Sequence, residues 1–163
     1  MFQILQVITL SLVTLAMVTA VAHALELPGK LRLPRETYLQ VQPIYYPGFT
    51  VVGGAGEVLG ILATLTLAGM SYGMPQFPLV AGAFLCMLAM HAVYWVFTHP
   101  VNDFWLRQTS VGRTGGSFFA FGAGRDGEGD WTVMRDRWEY SHVGRGVLSA
   151  AAFLMLAISL VMS

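Results

Sequence analysis

The chain has 163 residues, of which 55% are hydrophobic and only 11% are charged. A soluble domain usually carries about 25% charged residues, so this composition excludes a soluble enzyme and a disordered protein. Nine basic residues balance nine acidic ones, and a neutral chain lacks the basic surface that nucleic-acid binding requires. The single cysteine, Cys86, excludes an internal disulfide framework and a multi-thiolate metal site. What remains is a small integral membrane protein with the length of one compact domain.

Four segments are apolar enough to cross a membrane as helices, which takes about 20 residues each. The predicted spans cover residues 4–25, 49–72, 77–98 and 141–162, and a long polar loop covers residues 100–137. The sequence therefore predicts an all-α protein, an integral membrane four-helix antiparallel bundle that forms a single domain over residues 1–163. Four glycines at the start of the second span favour close approach of a neighbouring helix. They are Gly53, Gly54, Gly56 and Gly60.

The basic residues between the spans predict the orientation of the chain. They are Lys30, Arg32 and Arg35 in the first loop and Arg107, Arg113, Arg125, Arg135 and Arg137 in the third. The positive-inside rule then places these two loops in the cytoplasm and both termini outside it. We expect a bacterial inner membrane as the location and membrane lipid as the surroundings. Partner membrane subunits and a homo-oligomer both stay open.

Ionisable side chains inside the spans are expected to face the protein interior, because lipid exposure of such groups is costly. In the predicted topology all of them fall between mid-membrane and the cytoplasmic side. They are His23, Glu57, His91, His99, His142 and Arg145. Glu57 and His91 lie deepest, where neither an aromatic belt nor snorkelling accounts for them. Glu57 needs a cation or a proton at that depth, and Arg145 is the nearest partner, followed by His91.

Helical spacing places polar side chains on one face of each of the last two spans. The face of the third span carries His91, Trp95, Thr98 and Asn102, and that of the fourth carries Trp138, His142, Arg145 and Ser149. If both faces point inward, they form a polar pocket that opens towards the cytoplasm. A histidine at a helix end, such as His23 or His99, is more often an interfacial hydrogen-bonding residue than part of a site.

Two short motifs resemble a known family of small four-helix membrane proteins. The His-Pro-Val-Asn sequence at 99–102 is similar to its Pro-x-Asn element. The stretch 137–150 is similar to a second signature, in which a Trp-rich approach precedes Asn-His-Val-Arg and a small-residue apolar run. Ser141 stands at the Asn of that signature, and Gly144 is inserted before Arg145. The chain thus resembles the anthrone oxygenase-like family, much of which is a domain of unknown function.

This resemblance implies that the protein is a membrane oxygenase. Characterised relatives oxidise anthrones to anthraquinones with molecular oxygen, so the implied substrate is a flat, apolar, electron-rich ring that enters from the membrane. A base then removes a proton beside a carbonyl group, and His142 or Glu57 suits that role. Arg145 and Asn102 would hold the developing enolate oxygen. Such chemistry can run without a cofactor.

Three alternatives stay open at this point. A histidine-ligated iron or copper ion is one of them, or a haem held by paired histidines. The ligands for a metal would come from His23, Glu57, His91, His99 and His142. The second is a non-catalytic accessory subunit of a larger membrane complex that binds lipid, quinone or pigment. The third, a proton or ion carrier, is weaker, because one Glu with histidines on one side makes no transmembrane relay.

Overall fold

The computed structural model describes residues 1–102 and 131–163, so most of the predicted third loop lies outside the described part. Within the described part the regular elements are all helical, which confirms the all-α prediction. Four of the described helices are long and apolar enough to cross a membrane. These helices are α1 (Phe2–Lys30), α3 (Gly48–Met70), α4 (Phe77–Val93) with its extension to Asn102, and α5 (Trp131–Val161). The short α2 (Arg35–Val41) and a 3₁₀ turn (Gln42–Tyr45) connect α1 to α3.

The first helix extends beyond its predicted end at residue 25. Pro28 lies inside it and lacks the N–H that an earlier carbonyl would accept. The helix nevertheless continues to Lys30, whose Nζ lies 3.0 Å from Oε2 of Glu26 one turn earlier. Pairs of opposite charge at this spacing stabilise a helix. The last turn of α1 is therefore supported by charge rather than by apolar character.

The last helix begins ten residues before its predicted start at 141, so the prediction of a loop up to residue 137 is wrong at its end. Trp131 packs on Tyr38 of α2, with ring centroids 6.1 Å apart. This contact lies outside any apolar span, and tertiary packing rather than hydropathy accounts for the extra turns. The remainder of that loop, residues 103–130, lies outside the described residues.

The predicted loop is also wrong at its beginning, because the third spanning helix reaches Asn102. α4 continues through a π-helical turn, Tyr94–Thr98, and then past Pro100. Pro100 has no N–H for the carbonyl four residues earlier. That carbonyl, on Val96, instead accepts a hydrogen bond of 2.6 Å from Nη2 of Arg137 on α5. The extension is thus stabilised by its neighbour helix.

The four long helices pack in the ring order α1, α3, α4, α5, and each runs antiparallel to the next. Both termini meet at one end of the bundle, where Ser163 Oγ lies 3.3 Å from Gln6 Oε1. The α3–α4 turn lies at the same end, and Gly73 adopts φ 82° there, which favours glycine. We call this the turn end. The opposite loop end holds α2, the 3₁₀ turn and the start of α5.

The middle and turn-end part of the bundle packs on apolar side chains. Its core consists of Val13, Ala16, Ala20, Leu67, Ala68, Val80, Ala83, Met87, Met90, Ala152 and Leu156. Close approach of α1 and α3 needs glycine: a Cβ at Gly56 would lie 2.8 Å from Leu15 Cβ and 2.9 Å from the Ala16 nitrogen. A Cβ at Gly53 would meet Thr19 at 2.7 Å. The packing prediction holds for these positions, whereas a Cβ at Gly54 would have nothing within 4 Å.

Candidate functional site

A cavity of about 200 Å³ lies in the loop-end half of the bundle. All four long helices line it, together with Tyr45 and Tyr46 at the end of the first loop. The polar residues that the sequence predicted and that line it are His23, Glu57, His91, Trp95, Thr98, Asn102, Trp138, His142 and Arg145. Both polar helix faces contribute side chains to this cavity, although Trp95 is 49% exposed. His99 does not line the cavity, and Ser149 is buried beyond it.

Glu57 is the centre of a buried cluster, and we call Glu57, His91 and Arg145 the Glu57 centre. Oε2 of Glu57 accepts a hydrogen bond of 2.6 Å from Nη2 of Arg145. Oε1 lies 2.8 Å from Nδ1 of His91. Glu57 is 3% exposed, and a carboxylate this buried needs a paired cation. The two partners that depth suggested are therefore the partners found.

Trp95 determines the tautomer of His91. Its Nε1 donates a hydrogen bond of 2.9 Å to Nε2 of His91. An indole nitrogen only donates, so Nε2 is the acceptor, and the proton of the neutral imidazole sits on Nδ1, facing Glu57. Both ring nitrogens of His91 are thereby used. His91 orients the carboxylate and has no free nitrogen for a ligand.

Arg145 has N–H groups beyond those that its ion pair with Glu57 uses. A guanidinium carries five N–H donors, and Nη2 binds Glu57. Nε is buried without a hydrogen-bond partner among the described residues. The guanidinium carbon lies 5.3 Å from the ring centroid of Tyr94, which holds the group in place by a cation–π contact. Arg145 lines the cavity, so its remaining N–H groups can serve an occupant.

Asn102 presents a second donor from the extension of α4. Its Oδ1 accepts a hydrogen bond of 2.8 Å from Nε1 of Trp138. Since the indole only donates, this contact fixes the orientation of the amide and leaves its NH₂ group as the donor. Asn102 is buried and lines the cavity. Arg145 and Asn102 thus bring N–H groups to the cavity from two different helices.

The rings of His142 and His23 are in contact, tilted by 56°, and have opposite hydrogen-bonding roles. Nδ1 of His142 lies 2.9 Å from the carbonyl oxygen of Trp138, and because a carbonyl only accepts, Nδ1 carries the proton. Nε2 of His142 is then the unprotonated nitrogen, and it has no hydrogen-bond partner among the described residues. The ring of His23 lies 4.2 Å away between centroids, and its Nδ1 accepts from Nζ of Lys30 at 3.5 Å. A neutral His23 therefore carries its proton on Nε2.

A second charge cluster, which the sequence analysis missed, lies next to the histidine pair and has two buried members, Lys30 and Glu139. We call Lys30, Glu26 and Glu139 the Lys30 centre. Lys30 is 4% exposed, and its Nζ lies 3.0 Å from Glu26 Oε2 and 3.4 Å from Glu139 Oε1. Tyr38 donates a hydrogen bond of 2.8 Å to the same oxygen of Glu139. The four-residue spacing of Glu26 and Lys30 was an available signal, but no sequence pattern connects them to Glu139.

Three tyrosines at the loop end are held in the neutral form. Burial, followed by the nearby Glu139 carboxylate, raises the pKa of Tyr38 well above its usual range. Burial and a 2.6 Å hydrogen bond to Glu26 do the same to the pKa of Tyr45. Burial, followed by the neighbouring Tyr94, raises the pKa of Tyr46. These phenols stay donors at any physiological pH.

The metal hypothesis finds little support in this arrangement. Among residues 1–102 and 131–163, no three His, Cys, Asp or Glu side chains are placed to hold a metal ion. Glu57 and His91 bind each other, and His99 lies outside the cavity. The ring centroids of His23 and His142 are only 4.2 Å apart, which leaves no space for a haem between them. The donors of the described part therefore do not fit a metal ion or a haem.

The sequence pattern of the anthrone oxygenase family matches residues 42–155, which is more than two thirds of the chain. The protein therefore belongs to the anthrone oxygenase family. The matched region contains Glu57, His91, Asn102, His142 and Arg145. Helix α1, with His23 and Lys30, lies outside it. No curated protein and no solved structure matches the chain.

Proposed function

We propose that the protein oxidises a flat, electron-rich aromatic substrate of the anthrone type with molecular oxygen, and that His142 is the base. One observation carries this proposal. The Nδ1–H of His142 is held by the Trp138 carbonyl, which leaves a free lone pair on Nε2 in a cavity that also contains the N–H donors of Arg145 and Asn102. A base and oxyanion donors in one cavity are what enolate chemistry requires.

The first step is removal of a proton from the ring CH₂ group by Nε2 of His142. The C–H electron pair moves into the ring, and negative charge develops on the carbonyl oxygen. Arg145 and Asn102 stabilise that charge by hydrogen bonds. Preorganised donors of this kind contribute more in a cavity that excludes water than they would in solution.

The second step is transfer of one electron from the enolate to oxygen. The substrate radical and superoxide combine at the ring carbon, and the imidazolium of His142 returns its proton to form a hydroperoxide. Removal of the remaining C–H proton and cleavage of the O–O bond then release water and leave a new carbonyl. In sum, CH₂ and O₂ become C=O and H₂O, so no external reductant is needed and His142 ends in its starting state.

Glu57 is better suited to positioning than to acting as the base. Both of its oxygens are bound, one by Arg145 and one by His91. Proton abstraction by Glu57 would break the pair that neutralises it inside the membrane. Its proposed role is to orient Arg145, so that the free N–H groups of the guanidinium point to the substrate oxygen.

Aromatic walls support a flat substrate. Phe49, Tyr94 and Trp138 line the cavity, and aromatic rings prefer offset or edge-to-face packing on one another. A polycyclic ring between such walls can direct its carbonyl towards the N–H donors that line the cavity. The apolar body of the substrate then needs no polar partner.

The test is His142→Ala in purified protein reconstituted in lipid nanodiscs, with anthrone as substrate. We expect quinone formation and oxygen uptake to fall by about 10²–10⁴-fold, the usual contribution of a general base. The thermal midpoint should hold, because Ala is well tolerated in a helix. His99→Ala is the matched control, since His99 lies on the same side of the bundle but outside the cavity. His142→Gln, which keeps the size and a hydrogen bond, should be as inactive as Ala.

Full activity of His142→Ala would show that His142 is not the base. Absence of oxidation in the unaltered protein would instead favour the accessory-subunit function. In that case the cavity would bind an apolar molecule without transforming it.

A further inference from the structure

The cavity has one wall that faces outward, between α3 and α4. Most residues that line the cavity are buried or half-buried, and three of them are exposed. These are Gly54 and Val58, one turn apart on α3, and Trp95 in the extension of α4. Val58 is 48% exposed and Trp95 is 49% exposed. All three belong to helices that are apolar and long enough to lie in the membrane, so this wall faces lipid.

Gly54 differs from its neighbouring glycines. Gly53 and Gly56 carry no side chain because α1 lies against them, as their short Cβ distances show. A Cβ at Gly54 would meet nothing within 4 Å, so helix packing does not require glycine there. Glycine is also about 1 kcal/mol less favourable than alanine in a helix. A side chain at Gly54 would instead extend from the outward-facing wall of the cavity.

Trp95 forms the other side of this opening, and its position is linked to the Glu57 centre. Its indole N–H is bonded to His91, and His91 is bonded to Glu57. Trp95 also belongs to the π-helical turn of α4, and such turns are frequent at functional sites. A ring that displaces Trp95 must break the hydrogen bond between Trp95 and His91. Passage of a substrate would therefore change the contacts of the Glu57 centre.

We propose that the substrate enters the cavity sideways from the lipid, between α3 and α4, and that the absent side chain at Gly54 sets the width of the ring system that can pass. The occupant is a flat polycyclic aromatic molecule dissolved in the bilayer. This inference rests on the proposed function for the identity of the substrate. The proposed opening, by contrast, rests only on the exposure of Gly54, Val58 and Trp95 and not on the proposed function.

The experiment compares Gly54→Phe with Gly144→Phe in nanodiscs. Gly144 is the matched control, because a Cβ there also meets nothing within 4 Å and the residue does not line the cavity. The probe is anthracene, a flat three-ring hydrocarbon without an acidic CH₂ group. Its binding rate is measured by energy transfer from the protein tryptophans. We expect Gly54→Phe to slow binding by about tenfold or more, the scale on which pocket size discriminates, and Gly144→Phe to change it by less than twofold.

Anthrone oxidation is measured on the same samples to separate the two proposals. If anthracene binding slows in Gly54→Phe while the unaltered protein oxidises no anthrone, the opening stands and the oxygenase proposal fails. If anthrone is oxidised and Gly54→Phe binds and oxidises as fast as Gly144→Phe, the opening is wrong and the oxygenase proposal stands. Anthracene binding that does not saturate in the unaltered protein also overturns the inference, since a lipid chain would then occupy the opening. Gly54→Val is measured in the same way if the Phe variant does not fold.

Discussion

Different interactions hold the helices together in the turn-end half and in the loop-end half of the bundle. The turn-end half packs apolar and small side chains, whereas the loop-end half contains two charge clusters, the Glu57 centre and the Lys30 centre. Lipid is as apolar as a leucine side chain, so burial from water does not drive helices together inside a bilayer. Close packing must therefore hold the first half, whereas the second half combines its charge clusters with a separate apolar cluster of Tyr38, Tyr45, Val101 and Trp138.

The two charge clusters also differ from each other. The Glu57 centre lines the cavity with all three of its residues and leaves N–H groups of Arg145 available to an occupant. The Lys30 centre joins α1 to α5, and through Tyr38 it also holds α2. Its members do not line the cavity. We therefore expect changes in the Glu57 centre to affect both stability and activity, and changes in the Lys30 centre to affect mainly stability.

The largest effect is expected for Arg145→Met. Removing one partner of a buried ion pair costs about 3–5 kcal/mol, because the other charge stays buried and uncompensated. The double variant Arg145→Met with Glu57→Gln removes both charges and should regain most of this loss. The measurement is equilibrium unfolding in detergent. A double variant no more stable than Arg145→Met would show that the loss does not come from an uncompensated Glu57 carboxylate.

A smaller effect is expected for Leu67→Ala in the turn-end half. Leu67 is fully buried, and its truncation leaves a cavity that costs about 2 kcal/mol, the low end of the range for buried leucines. The loss of transfer energy is small here because the unfolded helix remains in lipid. Leu62→Ala, at a position that is 55% exposed, is the control and should be near neutral. A change in anthrone kcat/KM of Leu67→Ala would contradict the separation of the two halves.

The smallest effect is expected for Tyr38→Phe in the Lys30 centre. The change removes the hydrogen bond to Glu139 and leaves that buried carboxylate with Lys30 as its donor, at a cost of about 1 kcal/mol. Tyr72→Phe is the matched control, since Tyr72 is 79% exposed at the turn end. The thermal midpoint and kcat/KM are measured for both variants. A fall in kcat/KM for Tyr38→Phe at an unchanged thermal midpoint would show that the Lys30 centre takes part in the reaction.

Sequence by itself determined the number of spans, their antiparallel order and the side of the bundle that carries the polar groups. These features depend on local patterns, namely runs of apolar residues and helical spacing, which are visible without knowledge of neighbours. The two family motifs and the depth of Glu57 also pointed to residues that line the cavity. Even the pairing of Glu57 with Arg145, 88 residues later in the chain, followed from their similar depth.

Only the tertiary structure decided which atoms face one another. Glu139 lies outside the predicted span and pairs with Lys30 and with Tyr38, which is 101 residues away in the chain. No local sequence pattern predicts these pairings. The tautomers of His91 and His142 depend on contacts to Trp95 and to a backbone carbonyl. The different surroundings of Gly53 and Gly54 depend on where α1 lies. Hydropathy and helical spacing predict whether a residue faces lipid or the protein interior. The pairings, tautomers and glycine contacts depend instead on the distances between helices, which only packing determines.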